Sequence, residues 1–318
     1  MMRLGLACLS PGGARGRLSV LIFHRVLPQA DPLLPGEFDA LRFAQLCSWV
    51  RQWFRVLPLE AAVERLRAGD LPARAMAITF DDGYADNHDV ALPILQATGL
   101  SATFFVATGF LNGGRMWNDT LIEAVRRTRH DRLDLAEAGI EGLASLAVDS
   151  LPARRAAVSA LIRGCRYLPP TQRARAVEGV ARAAGVRLPD GLMMNDDQVR
   201  LLRKAGMGIG GHTVNHPILA RLAAQDALSE IAQGKACLQE ILQDDVSLFA
   251  YPNGRPDEDY RAEHTAMVQA SGYRAAFTTA WGSACSGSDL FQLPRFTPWD
   301  RQRWAFGIRM GKNLHHPV

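Results

Sequence analysis

Short apolar runs, many of them β-branched or aromatic, recur along the chain at Leu18–Phe23, Phe54–Leu57, Ala75–Phe80, Ala102–Val106, Met207–Gly210, Val246–Ala250, Ala275–Thr279 and Phe291–Leu293. Between them lie amphipathic stretches with helical spacing, such as Pro58–Ala68, Val90–Thr98, Gln198–Ala205 and Gln225–Leu242. Strands alternating with helices predict a parallel sheet wrapped by helices. Seven or eight such units in one domain predict an α/β fold, a distorted (β/α) barrel.

One segment breaks this rhythm. From Gly109 to Asp197 the chain is rich in Ala, Arg and Leu and poor in strand signals, with helices expected near Thr120–Arg129, Pro152–Cys165 and Thr171–Ala184. It reads as a helical insertion, about 110–197, after the fourth strand. Such an insertion can be a packing element, or a lid or substrate-binding wall with Trp117-Asn118-Asp119 as its point of contact. The expected organisation is an N-terminal tail over 1–17, a barrel over 18–300 that includes the insertion, and a C-terminal tail over 301–318.

Composition narrows the function little. The 318 residues are 48% hydrophobic and 21% charged with a formal net charge of +4, ordinary for a globular protein that buries its own core. Basic residues form no block and do not interleave with aromatics, so nothing favours nucleic acid as a partner. The five cysteines are scattered and never form a CxxC pair, which fits free thiols better than a disulfide framework or a zinc knuckle. No apolar run approaches the length of a transmembrane segment, and the N-terminal apolar run is too short for a secretory signal, so a cytoplasmic location is expected. The oligomeric state is not legible.

The chemistry lies at the strand ends. The first strand ends in His24-Arg25, the third in Asp81-Asp82-Gly83, the fifth in His212, the sixth in Tyr251-Pro252-Asn253-Gly254, and the last runs into Pro294-Arg295. In a β/α barrel the carboxyl ends of the strands open onto one face, so these residues are predicted to converge. Adjacent carboxylates repel unless a cation or a base offsets them. In an extended segment successive side chains diverge, so one Asp can bind a metal while its neighbour addresses a water beside it. Taken alone, the pair also suits a turn or a helix N-cap. His212 and His216 are spaced i, i+4; on a helical turn both imidazoles would share a face and could chelate a divalent cation. Two histidines and one carboxylate leave positions open for water and substrate, as a catalytic zinc or iron site requires.

TFDDGYADN around Asp81 and HTVNHP at His212–Pro217 together resemble two motifs of the polysaccharide deacetylase family, also called NodB-homology or carbohydrate esterase family 4. LIFHRV, FAYPNG and LPRF extend the resemblance over roughly residues 18–300, outside the insertion. It implies a hydrolase with a distorted barrel that removes N- or O-acetyl groups from glycans, N-acetyl first among them, with a divalent metal, commonly Zn2+ and alternatively Co2+, Ni2+ or Fe2+. By position it implies that Asp82, His212 and His216 hold the metal and that Asp81 is the general base. The backbone N–H of Tyr251 would stabilise the oxyanion. Tyr84 and Asn253, inside the motifs, join Trp117 and Asn118 as candidate substrate contacts. An acetylated glycan or sugar intermediate of exopolysaccharide metabolism is the implied partner.

The chain departs from the family pattern twice. The Arg that usually pairs with the catalytic Asp is Ala250 here, and Arg295 is its nearest substitute. A C-terminal Leu-x-His motif, a common source of the general acid, has no clear counterpart, because His315 and His316 fall in the expected tail. The family branch active on poly-N-acetylglucosamine has an apolar-Tyr-His motif in its first strand, and His24 fits that place. His88 and His264 are expected at the surface. Rival readings are a catalytically impaired glycan-binding relative and a phosphate-transfer hydrolase, which would leave the histidines unexplained.

Overall fold

The computed structural model describes residues 2–318. The chain forms two compact units, one comprising the residues through Gln29, Phe38–Asn112 and Met194–Val318, the other Ala30–Glu37 and Gly113–Met193.

The first unit is built on six parallel strands, β1 (Leu18–Phe23), β2 (Ala75–Phe80), β3 (Thr103–Val106), β4 (Gly208–Gly211), β5 (Leu248–Ala250) and β6 (Ala275–Phe277), which neighbour one another in chain order. Nearly every residue in them is buried. Strands covered on both faces need apolar residues throughout, which is why they read as continuous runs. The sheet closes through Leu293–Phe296: Thr278 N–H donates to Leu293 O at 2.9 Å and Phe296 N–H to Val20 O at 2.7 Å, with parallel bridges Phe277↔Leu293 and Leu21↔Phe296. That segment is the last stave, and it turns a curled sheet into a distorted barrel. The run at Phe54–Leu57 shortens to a two-residue strand, Arg55–Val56, beside the start of β2. β4 is glycine-rich for want of room. A Cβ on Gly210 would lie 2.4 Å from the Phe105 ring, and one on Gly211 would lie 2.1 Å from the Tyr273 hydroxyl.

Helices α1 (Met2–Leu9), α2 (Ala40–Trp53), α3 (Leu59–Ala68) and α4 (Leu92–Thr98) of the first unit come before Gly113, and α8 (Asp196–Lys204), α9 (Ala224–Leu242), α10 (Ala262–Ala270) and α11 (Arg303–His315) come after Met193. Two start signals are explicit: Asp39 caps α2, and Asn195 with Gln198 forms a capping box on α8. Both ends of the chain differ from the expected tails. Residues 2–9 and 303–315 are helices that pack on each other, with Leu6, Phe306, Met310 and Leu314 buried. The first of these is only eight residues long and both are interrupted by glycine, so the helical periodicity is faint in the sequence.

The second unit holds α5 (Trp117–Arg127), α6 (Leu151–Arg166) and α7 (Pro170–Ala184) around an apolar cluster that includes Leu121, Leu161 and Val180. It also contains an antiparallel pair, Arg132–Asp134 with Ser145–Ala147, too short to announce itself in the sequence. Arg154 ties these elements together by donating to the carbonyls of Val125, Arg126, Thr128 and Val148. Among the described residues no helix is long and apolar enough to cross a membrane.

Candidate active site

Asp81 comes directly after the last residue of β2, and its N–H donates to Phe23 O at 2.9 Å, the last rung between β1 and β2. The chain then turns sharply. Asp82 takes a left-handed conformation, φ 77°, followed by Gly83 at φ 92°. A non-glycine residue held there costs on the order of 1 kcal/mol, and such strain persists where the surroundings fix it. Here Ala107 N–H donates to Asp82 O (3.2 Å) and Met194 N–H to Gly83 O (2.9 Å). The two carboxylates therefore diverge through a turn rather than through an extended strand.

His212 leaves β4 with its N–H on Val106 O. The segment to His216 is not the helical turn that the i, i+4 spacing suggests. It is an irregular loop with Thr213 and His216 both at positive φ, 65° and 50°. Thr213 Oγ1 accepts from His216 N–H (3.1 Å), and the Glu230 carboxylate on α9 accepts from the N–H groups of Val214 and Asn215 and from the Asn215 side chain. The loop still delivers both rings to one place, with centroids 4.8 Å apart.

Asp82 Oδ1 lies 3.5 Å from His212 Nε2 and 3.4 Å from His216 Nε2, yet it is buried without a hydrogen-bond partner. His212 Nδ1 is 2.7 Å from Ala250 O. A carbonyl only accepts, so Nδ1 carries the proton, and Nε2 of the neutral ring presents a lone pair toward the carboxylate. Facing acceptors in a buried site call for a proton or a cation between them. The donor atoms of Asp82, His212 and His216 all fall within 4.8 Å of one another, and this trio could hold a metal ion. The arrangement of His212 on a backbone carbonyl is the support that orients a metal-binding imidazole.

Asp81 has different company. Its carboxylate receives two parallel bonds from Arg295, Nη1 to Oδ1 at 2.7 Å and Nη2 to Oδ2 at 2.8 Å, and Oδ2 is 3.8 Å from His212 Nε2. Arg295 is itself buried, aimed by its Nε bond to Thr278 O and stacked near the Phe105 ring. Burial works to raise the Asp81 pKa, but Arg295 and His212 outweigh it and hold the carboxyl below its ordinary range. Burial works against charge on Asp82 as well, and His216 and His212 keep it ionised. Burial drives His216 down to about 4, whereas for His212 the two carboxylates overcome burial and raise it.

His24 is exposed at the end of β1, near enough that its field bears on Asp81, Asp82 and His216. Its carbonyl accepts from the Asn87 side chain, and next to it Arg25 pairs with the buried Asp86, which also accepts from Val26 N–H. Asp86 and Asn87 are absent from the residues expected at the site, although they stand inside the TFDDGYADN motif; their place four to six residues beyond the Asp pair is the available signal.

Several expected roles change. The N–H of Tyr251, assigned to an oxyanion, donates instead to Phe277 O at 3.1 Å within the sheet, and its hydroxyl to Phe291 O. Tyr84 is buried, its ring covered by the Arg25 guanidinium 4.5 Å away, so it offers no surface to a substrate. Asn253 sits at positive φ, 58°, in the loop after β5, with its carbonyl held by Thr279. Trp117 and Asn118 open α5 in the second unit, where Arg173 covers the Trp117 ring. His264 is not at the surface: it is buried, and its Nδ1 accepts from Arg261 N–H at the start of α10.

The polysaccharide deacetylase family profile matches residues 68–135 and 178–276, over half of the chain. A relative, YxkH of Bacillus subtilis (strain 168), a polysaccharide deacetylase by inference, is 20% identical over 282 residues, covering 88% of this chain and 70% of its own. Two solved structures share the fold. IcaB from Ammonifex degensii has a TM-score of 0.60 at 19% identity, over 95% of this chain and 98% of that one. The Streptococcus pyogenes deacetylase PplD, solved in complex with acetate, has a TM-score of 0.58 at 19% identity, over 89% and 92%.

The fold and the Asp-Asp, His-His constellation define a hydrolase of amide or ester bonds. The chain belongs to the polysaccharide deacetylase family.

Proposed function

We propose that this protein is a metal-dependent deacetylase of an acetylated glycan or sugar intermediate of polysaccharide metabolism, with the N-acetyl amide as the bond it hydrolyses. The observation that carries the reading is the buried Asp82 Oδ1, unpartnered and facing the Nε2 atoms of His212 and His216. These three residues would hold the cation, which Zn2+, Co2+, Ni2+ or Fe2+ could each supply. When bound, the metal would lower the pKa of a water and polarise the acetyl carbonyl. Asp81, kept ionised and fixed in direction by Arg295, accepts the proton of the attacking water. His24, exposed on the same rim, returns a proton to the departing amine. Arg295 supplies the Arg–Asp pair that Ala250 cannot, which supports a working hydrolase over an impaired binding relative.

The test couples metal content with acetate release from N-acetylated oligosaccharides. Asp82→Ala and His216→Ala are expected to lose metal. Asp81→Asn keeps it and loses at least about a hundredfold in kcat. His24→Ala keeps metal and loses turnover. An Asp81→Asn variant as active as wild type would sink the assignment of the base, and unchanged rates in His24→Ala would move the acid elsewhere.

A further inference from the structure

At the opposite end of β2 from the Asp pair lies a cavity of about 670 Å3 whose lining includes Arg3, Arg51, Arg55, Arg74 and Arg303 and no acidic residue. Arg74 immediately precedes β2 and Asp81 immediately succeeds it, so at ~3.3 Å per strand residue the two places are roughly 20 Å apart. Among the described residues none of these five arginines has a carboxylate partner in an ion pair.

Arg74 is the unusual member. It is 7% exposed, and of its guanidinium only Nη1 has a partner, Trp53 O at 2.7 Å; Nε is buried and unpaired. Donating to Trp53 O caps the C-terminal end of α2, but that accounts for one of five donors. Its backbone is left-handed, φ 61°, and is clamped by Arg74 N–H on Ser10 O and Arg55 N–H on Arg74 O, both 2.9 Å. A buried cation without counter-charge is costly, and one in a strained backbone more so. Burial, with Arg3 and Arg55 close by, works against its charge. A site held together only for stability would supply a carboxylate here; this one supplies more arginine.

We infer that this cavity is a binding site for a phosphate oxyanion, distinct from the hydrolytic site. Guanidinium forks match phosphate oxygens in pairs, and several converging on one cavity suit more than one phosphate. The volume is that of a small-molecule site, with room for a substituent on the phosphate. The phosphate could be that of a soluble diphosphate or of a lipid headgroup.

Inorganic pyrophosphate, titrated calorimetrically into the full chain, and sedimentation with phosphatidylglycerol vesicles against phosphatidylcholine vesicles separate the two sources. The variant is Arg3→Gln with Arg55→Gln, both exposed and away from the hydrolytic site. The expected result is saturable binding in at least one arm, weakened about tenfold or more in the double variant, with its Tm and acetate release unchanged. The arm that responds identifies the source. No saturable binding in either arm, or binding that the double variant retains, overturns the inference. Because acetate release is read separately, failure of the deacetylase reading leaves this result intact.

Discussion

Arg295 and Asp81 meet as a bidentate pair inside the barrel, each almost wholly buried, although 214 positions separate them in the chain. Arg295→Met leaves the Asp81 carboxylate buried without its counter-charge, and urea unfolding near neutral pH should show a loss of about 3–5 kcal/mol. The sign of the pH dependence is set by the depressed Asp81 pKa. The wild-type contribution is present above the unfolded value of about 3.9 and is lost as pH falls through the lower folded value, so the gap between the proteins narrows in acid. A gap that stays constant would place the loss in packing instead. At this scale much is legible in the sequence. Asp81, Asp82, His212 and His216 are polar residues placed where apolar runs end, and barrel topology obliges such positions to share a mouth. The Tyr251 amide misleads because its engagement depends on the register of β5 against β6, which no single segment encodes. Tyr84 misleads because the motif that contains it does not reveal that Arg25 lies over its ring.

The loop from β4 to α9 illustrates the element scale. Its sequence spacing suggests a helix, yet the two histidines converge through two left-handed residues and a carboxylate clamp from Glu230, fourteen positions beyond His216. Glu230→Gln keeps an acceptor but gives up the charge that gathers the N–H groups of Val214 and Asn215. Metal affinity is expected to weaken about 10–100-fold, read by competition with a chelator, while the melting temperature changes little. An unchanged affinity would show that the loop holds its shape without the clamp. Glu230 cannot be picked out from sequence, because it falls on an ordinary amphipathic helix and only the tertiary fold aims it at the loop. The opposite case is the strand set: β1, β2 and β3 are legible to within a residue because continuous apolar runs of that length have few alternatives.

For the whole molecule, the terminal helices matter more than the sequence suggests. α1 and α11 pack together and bury Leu6, Phe306, Met310 and Leu314. A chain ending at Asp300 would expose this surface and forfeit about 1.5–3 kcal/mol for each large apolar side chain, and a lowered Tm with partial insolubility is the expected outcome. A truncated chain as stable as the full one would show the pair to be an appendage.

The closing stave carries a further consequence. Asp81 belongs to the first third of the chain, but the guanidinium that fixes it arrives on Leu293–Phe296, the segment that joins β6 to β1. During synthesis, a nascent chain can display every residue of the candidate metal trio and still lack an oriented base. Contacts this distant in sequence form late and slowly. Hydrolytic competence would then wait for the segment that carries Arg295, so that onset of activity in a refolding protein reports the moment the barrel shuts.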